Sequence, residues 1–150
     1  MIPWITPSDD EAVRRAQESV RSLYQSDRAL QALGIEVIEV IPGRVRIAMT
    51  VRPDMLNGYG MCHGGIVFAF ADSAFAFACN SFGEPMVAAG ASIEFMAPTL
   101  AGERILATGS AVSRSERHGH YDVIVANTNG ELLALFRGRC SRLRGNPQPV

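Results

Sequence analysis

Lysine is absent from the 150-residue sequence, and all fourteen basic side chains are arginine. Arginine presents a planar, permanently charged fork that suits phosphate or carboxylate groups, although a biased genome base composition produces the same preference. Nor is there an excess of either charge. Fourteen basic residues face fifteen acidic ones, giving a formal net charge of -1, and the arginines form no run, which argues against a nucleic-acid footprint. Cysteine is scarce too: Cys62, Cys79 and Cys140 are odd in number and widely spaced. They offer neither a C-x-x-C redox couple nor a zinc-ligand pair, and a reducing cytoplasm is the expected setting. No stretch reaches the ~20 apolar residues of a membrane span; the nearest, Gly64 to Cys79, is interrupted by Asp72-Ser73. The first residues, Met1 to Glu11, are proline-broken and acidic where a signal peptide is basic and then apolar. A cytoplasmic protein with no nucleic-acid or membrane partner is therefore expected.

Low-complexity tracts and internal repeats are likewise missing. With 47% hydrophobic and 19% charged residues, neither a disordered nor a fibrous chain fits. A single domain over 1–150 is expected, long enough to bury roughly 68–70% of its unfolded surface without staples. Ser8-Asp9-Asp10-Glu11 reads as a capping box, and Ala12, Val13, Ala16, Val20, Leu23 and Tyr24 recur at helical spacing, predicting a helix over about 9–28. Leu33 to Ile41 and Arg44 to Val51 predict a hairpin around Pro42-Gly43. An irregular loop from Arg52 to Cys62 then leads into the apolar stretch beginning at His63. Its alternating Phe and Ala mimic a strand, but its length and alanine content predict a helix, apolar on every face and therefore buried. Beyond the turn at Gly83-Glu84-Pro85, strands are expected over Met86 to Met96, Arg104 to Arg114, Tyr121 to Thr128 and Glu131 to Leu143, with Asn129-Gly130 as a hairpin turn. The core spans about 33–143, and the tail 144–150 is expected to fray. The tally predicts an α+β domain, an antiparallel sheet of about six strands around one central helix, with an additional N-terminal helix.

Asp72 is the outlier, a carboxylate midway along an otherwise apolar helix. Burying it unpaired costs several kcal/mol, so it must be protonated, paired or open to a cavity. A structural carboxylate and a functional one both fit that description. His63-Gly64-Gly65 stands where the helix begins, and the missing side chains at Gly64 and Gly65 let a ligand approach free amides that favour developing negative charge. Equally, two glycines suit tight packing, and His63 alone reads as a hydrogen-bonded structural residue. Asn57, in Asn57-Gly58, is a turn former placed where an amide could orient a water or a carboxylate. Gly64 and Asp72 lie eight residues apart, or ~12 Å along a helix. If both act on one carbonyl, they must come from different subunits of a two-fold dimer. Other candidates are weaker. His118-Gly119-His120 lacks further ligands for a metal, Cys62-His63 are adjacent and diverge, and Phe68, Phe70, Phe75 and Phe77 read as core, with one or two available to an acyl pocket.

Asn57-x5-His63-Gly64-Gly65 followed by Ala71-Asp72-Ser73-Ala74-Phe75-Ala76 and Ala78-Cys79-Asn80-Ser81 resembles the hotdog-fold acyl-CoA thioesterases, specifically their phenylacetate-degradation branch. Met55-Leu56-Asn57-Gly58 and Leu135-Phe136-Arg137-Gly138 extend the similarity, which runs from about Ala32 to Leu143. The resemblance implies a hotdog fold, two units sharing one continuous sheet, and a tetramer built from two dimers. It implies hydrolysis of aryl-acetyl thioesters such as phenylacetyl-CoA or its ring-hydroxylated forms. By position it makes Asp72 the catalytic carboxylate, as general base or nucleophile, and Gly64 the oxyanion-hole amide, with Asn57 and His63 in support. No metal or bound cofactor is implied; coenzyme A belongs to the substrate, and Arg114, Arg117, Arg137 and Arg139 are eligible for its phosphates. A serine that some thioesterases carry on the strand after the central helix has no counterpart here, and Ser92 does not take that role. An acyl-CoA hydratase or dehydratase and a non-catalytic acyl-CoA-binding module are the alternatives.

Overall fold

The structure, a computed structural model, describes residues 10–145. Its first helix, α1 (Glu11–Ser26), starts because the Asp10 carboxylate accepts the Val13 N–H at 3.1 Å. The expected capping box at Ser8 lies outside the described residues, as does most of the expected frayed tail, residues 146–150. Asp27 ends α1 and caps a short second helix, α2 (Arg28–Ala32), by accepting the Leu30 N–H at 3.0 Å. The sequence predicts a single helix to 28 and a strand from Leu33; instead α2 intervenes, closed by Gly34 at φ 68°. The first strand, β1 (Glu36–Ile41), therefore starts three residues late. It turns at Gly43, φ 76°, into β2 (Arg44–Thr50).

The central helix, α3 (Gly64–Asn80), is followed by β3 (Met86–Phe95), β4 (Arg104–Arg114), β5 (His118–Asn127) and β6 (Leu132–Arg142). All six strands form one antiparallel sheet in the order β1-β2-β4-β5-β6-β3. Strand β5 begins three residues before the expected Tyr121, because Ser115 and His118 close the β4–β5 turn with paired hydrogen bonds. At the last hairpin, Asn127 Oδ1 accepts the N–H groups of Asn129 and Glu131, and Gly130 takes φ 83°.

The sheet curls around α3. Phe70, Phe75 and Phe77 are buried, Phe75 packing edge-on to Tyr121 with ring centroids 5.9 Å apart. One expectation fails here. Although α3 is apolar nearly all round, the stripe Ala69, Asp72, Ser73 and Ala76 is only half-buried within the protomer. Strand β3 is similar: it lies at the sheet edge, bonded only to β6, and nearly all of its residues are exposed. The single chain leaves its most apolar helix and one apolar strand incompletely covered.

Candidate active site

The segment between β2 and α3 is irregular but firmly tied. Pro53–Met55 makes one 3-10 turn, Leu56 and Cys62 form an isolated bridge, and the Cys62 N–H donates to Thr99 O at 2.8 Å. Asn57 builds the loop tip. Its Oδ1 accepts the N–H groups of Tyr59 (2.9 Å) and Met61 (3.2 Å), leaving Nδ2 without a protein acceptor among the described residues. The carbonyl end of the amide thus shapes the loop, and the NH₂ end is free to donate.

His63 is the N-cap of α3. Its backbone N–H donates to Met55 O (2.8 Å), its carbonyl accepts from Ile66 and Val67, and its Nδ1 accepts the Gly65 N–H at 2.9 Å. An accepting Nδ1 carries no proton, so the ring proton sits on Nε2. The first turn of any helix leaves N–H groups without intrahelical partners. Here those of Gly65, Ile66 and Val67 are all satisfied through His63. Gly64 N–H is left without an acceptor among the described residues. A Cβ on Gly64 would stand 3.1 Å from the Phe95 ring, so a side chain there would have to push that ring aside by a few tenths of an ångström.

Gly64 and Asn57 line one cleft of about 350 Å³, together with Cys62, Val67, Phe95 and Thr99. The far wall, Phe95 to Thr99, lies some thirty residues beyond Gly64 in sequence. It arrives because β3 runs along β6 and its end is tied back by hydrogen bonds from Met96 and Ala97 N–H to Leu133 O. Sequence reasoning missed this wall; no local pattern marks it.

Asp72 is not in that cleft. It sits about two helical turns farther along α3, half-buried, with no hydrogen-bond donor or cation on its carboxylate among the described residues. Burial raises its pKa above the ordinary carboxylate value, and the nearby Asp27 carboxylate adds to the rise. The four expected site residues thus fall into two groups: Asn57, His63 and Gly64 together, and Asp72 apart. The thiol of Cys62, pushed up to about 11 by burial, is a poor nucleophile at neutral pH. His118, whose Nδ1 lies 3.2 Å from Ser141 Oγ, and His120 lie on β5, remote from this cleft. Among the described residues, no three His, Cys, Asp or Glu side chains cluster to hold a metal ion.

An unpaired helix-terminal amide, a free carboxamide donor and a separate desolvated carboxylate can polarise a carbonyl and activate an attacking oxygen. Comparisons with known proteins point to the same chemistry. Residues 59–134 match the family model described as Thioesterase superfamily. The acyl-coenzyme A thioesterase PaaI of Escherichia coli (strain K12) is 39% identical over 131 residues, 87% of this chain and 94% of that protein. The solved structure of the E. coli PaaI protein from the phenylacetic acid degradation operon superposes with a TM-score of 0.88 at 38% identity. It covers 90% of this chain and 98% of its own. A structure from Thermus thermophilus reaches 0.75 at 42% identity, covering 78% and 98% respectively.

Proposed function

The chain belongs to the thioesterase superfamily, and from that premise we propose that it hydrolyses aryl-acetyl-CoA thioesters, phenylacetyl-CoA or its ring-hydroxylated forms, in a site shared by two protomers. The observation that carries the proposal is the lone unpaired amide of Gly64 facing a cleft beside the free Nδ2 of Asn57. The thioester oxygen accepts from Gly64 N–H, at the positive end of α3, where the negative charge of the tetrahedral intermediate is best tolerated. His63 holds that amide in place by capping its neighbour. Asn57 orients the attacking water or the carboxylate.

Asp72 supplies the base. At ~1.5 Å per residue it lies ~12 Å along the helix from Gly64, so the carboxylate serving one cleft is Asp72 of the partner subunit. A water gives its proton to that carboxylate as its oxygen bonds to the carbonyl carbon. The C–S bond then breaks, and the departing thiolate takes up a proton as coenzyme A. A thiolate is a good leaving group, so this reaction needs neither metal nor cofactor. The dimer reading is supported by the half-covered stripe on α3, where Ala69 and Ala76 flank Asp72 and Ser73, and by the largely apolar, unpaired edge of β3. The similarity to the E. coli enzyme supports the aryl-acetyl substrate, and a tetramer of two such dimers goes with that reading. A cytoplasmic setting is supported by three free, buried cysteines, and no described helix is long and apolar enough to cross a membrane. A dehydratase would need a free histidine beside the acyl chain, and the Nδ1 of His63 is already committed to Gly65.

The test is free-thiol release from phenylacetyl-CoA and from acetyl-CoA, with wild type beside Asp72→Asn at matched oligomeric state. Preference for the aryl thioester and a loss of about 10²-fold or more in kcat for the variant are expected. A variant as active as wild type would remove Asp72 from the mechanism, whereas no thiol release by wild type from either substrate would leave the binding-module reading.

A further inference from the structure

At the opposite end of β3 from the cleft is a second cavity, of about 530 Å³, lined by Arg117, His118, Ser141, Arg142, Leu143 and Arg144. Its walls are fixed by backbone bonds: Arg142 N–H donates to Arg117 O and Leu143 N–H to Pro85 O, each at 2.9 Å. Three arginines thus line one concavity. Arg117 and Arg144 have no ion-pair partner among the described residues, and Arg142 approaches Glu84 only to 3.9 Å. Glu84 and Glu116, the latter in the same turn as Arg117, are the nearby acidic residues in sequence, and the arginines outnumber them. Arginines held together in this way are a receptor for a polyanion, above all phosphate.

The arginines expected from the sequence to serve such a role are mostly occupied. Arg137 is bound through two nitrogens to Asp122 (2.6 and 2.8 Å), Arg114 stacks 3.5 Å over the Phe82 ring, and Arg139 donates to Ala89 O. Arg117 alone of those four is open.

Position supplies the ligand. Met86 pairs with Arg142, which puts the cavity at the start of β3, whereas the cleft lies beyond its end. Antiparallel pairing of two β3 strands about a two-fold axis reverses one against the other, so each cleft has the other protomer's basic cavity at its end of the shared sheet. In a coenzyme A thioester the phosphates hang a full pantetheine arm away from the carbonyl, and their receptor must stand outside the cleft. We infer that Arg117, Arg142 and Arg144 bind the phosphates of the coenzyme A whose thioester occupies the partner protomer's cleft, an inference that rests on the thioesterase reading and its dimer.

The test compares wild type with the Arg117→Gln/Arg144→Gln double variant. Titration with adenosine 3′,5′-bisphosphate should show binding that weakens by about tenfold or more in the variant. The KM for phenylacetyl-CoA should rise by a similar factor at constant kcat. The N-acetylcysteamine thioester of phenylacetate, which has no phosphate, should give the same kcat/KM with both proteins. Unchanged nucleotide affinity, or equal losses on both thioesters, overturns the assignment. If wild type cleaves neither thioester the hydrolase reading fails, and the nucleotide titration still decides the phosphate site. Mixed oligomers of Asp72→Asn chains with double-variant chains test the partner relation. Asp72 and the arginines of one site come from the same chain, so mixing should restore only high-KM activity. Recovery of the wild-type KM would overturn the placement.

Discussion

The carboxylate of Asp72 is half-buried with no donor to hold it, and the Asp27 carboxylate lies close enough to oppose its ionisation. Both effects raise its folded pKa above the value of 3.8 that it has in an unfolded chain. Between those two values the folded state binds the extra proton, so stability falls as pH rises. The protonated side chain's contribution is complete below the unfolded pKa and is lost as pH climbs through the raised folded one. Ionised Asp72 is thus a half-buried charge that the fold itself does not favour. Asp72→Asn should be inactive yet more stable at pH 7, by about 0.5–2 kcal/mol, the range typical of relieving such a site. The gain should vanish near pH 3, where Asp72 is neutral in both states. Thermal melts of the two proteins across that range test this, and a variant that melts lower than wild type at pH 7 would contradict it. Asn57 is likewise half-committed: its Oδ1 accepts from the Tyr59 and Met61 amides, and its Nδ2 has no acceptor among the described residues.

At the level of elements, the site depends on how closely α3 approaches the sheet. Gly109 on β4 and Gly138 on β6 make that approach possible. A Cβ at Gly109 would stand 2.9 Å from Ala74 O, and one at Gly138 2.7 Å from the Phe75 ring. The first contact is with helix backbone, which cannot swing aside as a side chain can. Gly109→Ala should destabilise the protein by about 1–3 kcal/mol through overpacking and should lower activity as well, because α3 carries both Gly64 and Asp72. Gly58→Ala, where a Cβ meets nothing within 4 Å, should stay within about 0.5 kcal/mol of wild type; denaturant unfolding measures both. The same elements explain what the sequence could reveal. A lone carboxylate in an apolar helix and a His-Gly-Gly start are local features, so Asp72, His63, Gly64 and the preceding Asn57 were legible. Five residues of α2 are too few to display a period, and Asp27 both ends one helix and begins the next, so that break was not. The Phe95–Thr99 wall is made by long-range strand pairing, which leaves no local trace. The partial exposure of Ala69 and Ala76 on α3 was hidden for another reason: small apolar residues read alike whether or not their own protomer covers them.

At the scale of the whole molecule, β3 is the least satisfied element. It offers a ten-residue edge with unpaired backbone groups and exposed side chains, including Val87 at 42% and Phe95 at 56%. A long apolar edge of this kind can template pairing with another chain, and a two-fold axis through its middle, between Gly90 and Ala91, would close that edge in a pair. That pairing would lay the two α3 helices side by side in opposite directions, bringing each Gly64 toward the other chain's Asp72. Ala91 is exposed in the protomer, so an arginine there is tolerated by the isolated fold. In the pair, it would meet its own copy near the axis, where like charges are destabilising. Ala91→Arg should therefore shift the protein to smaller species in sedimentation with its circular dichroism preserved. Its kcat/KM on phenylacetyl-CoA should fall by about 10²-fold or more, the loss expected when a catalytic base is withdrawn. A folded monomer that keeps wild-type turnover would mean that one chain holds a complete site and would overturn the shared-site reading, which rests on the ~12 Å between Gly64 and Asp72 along a single helix.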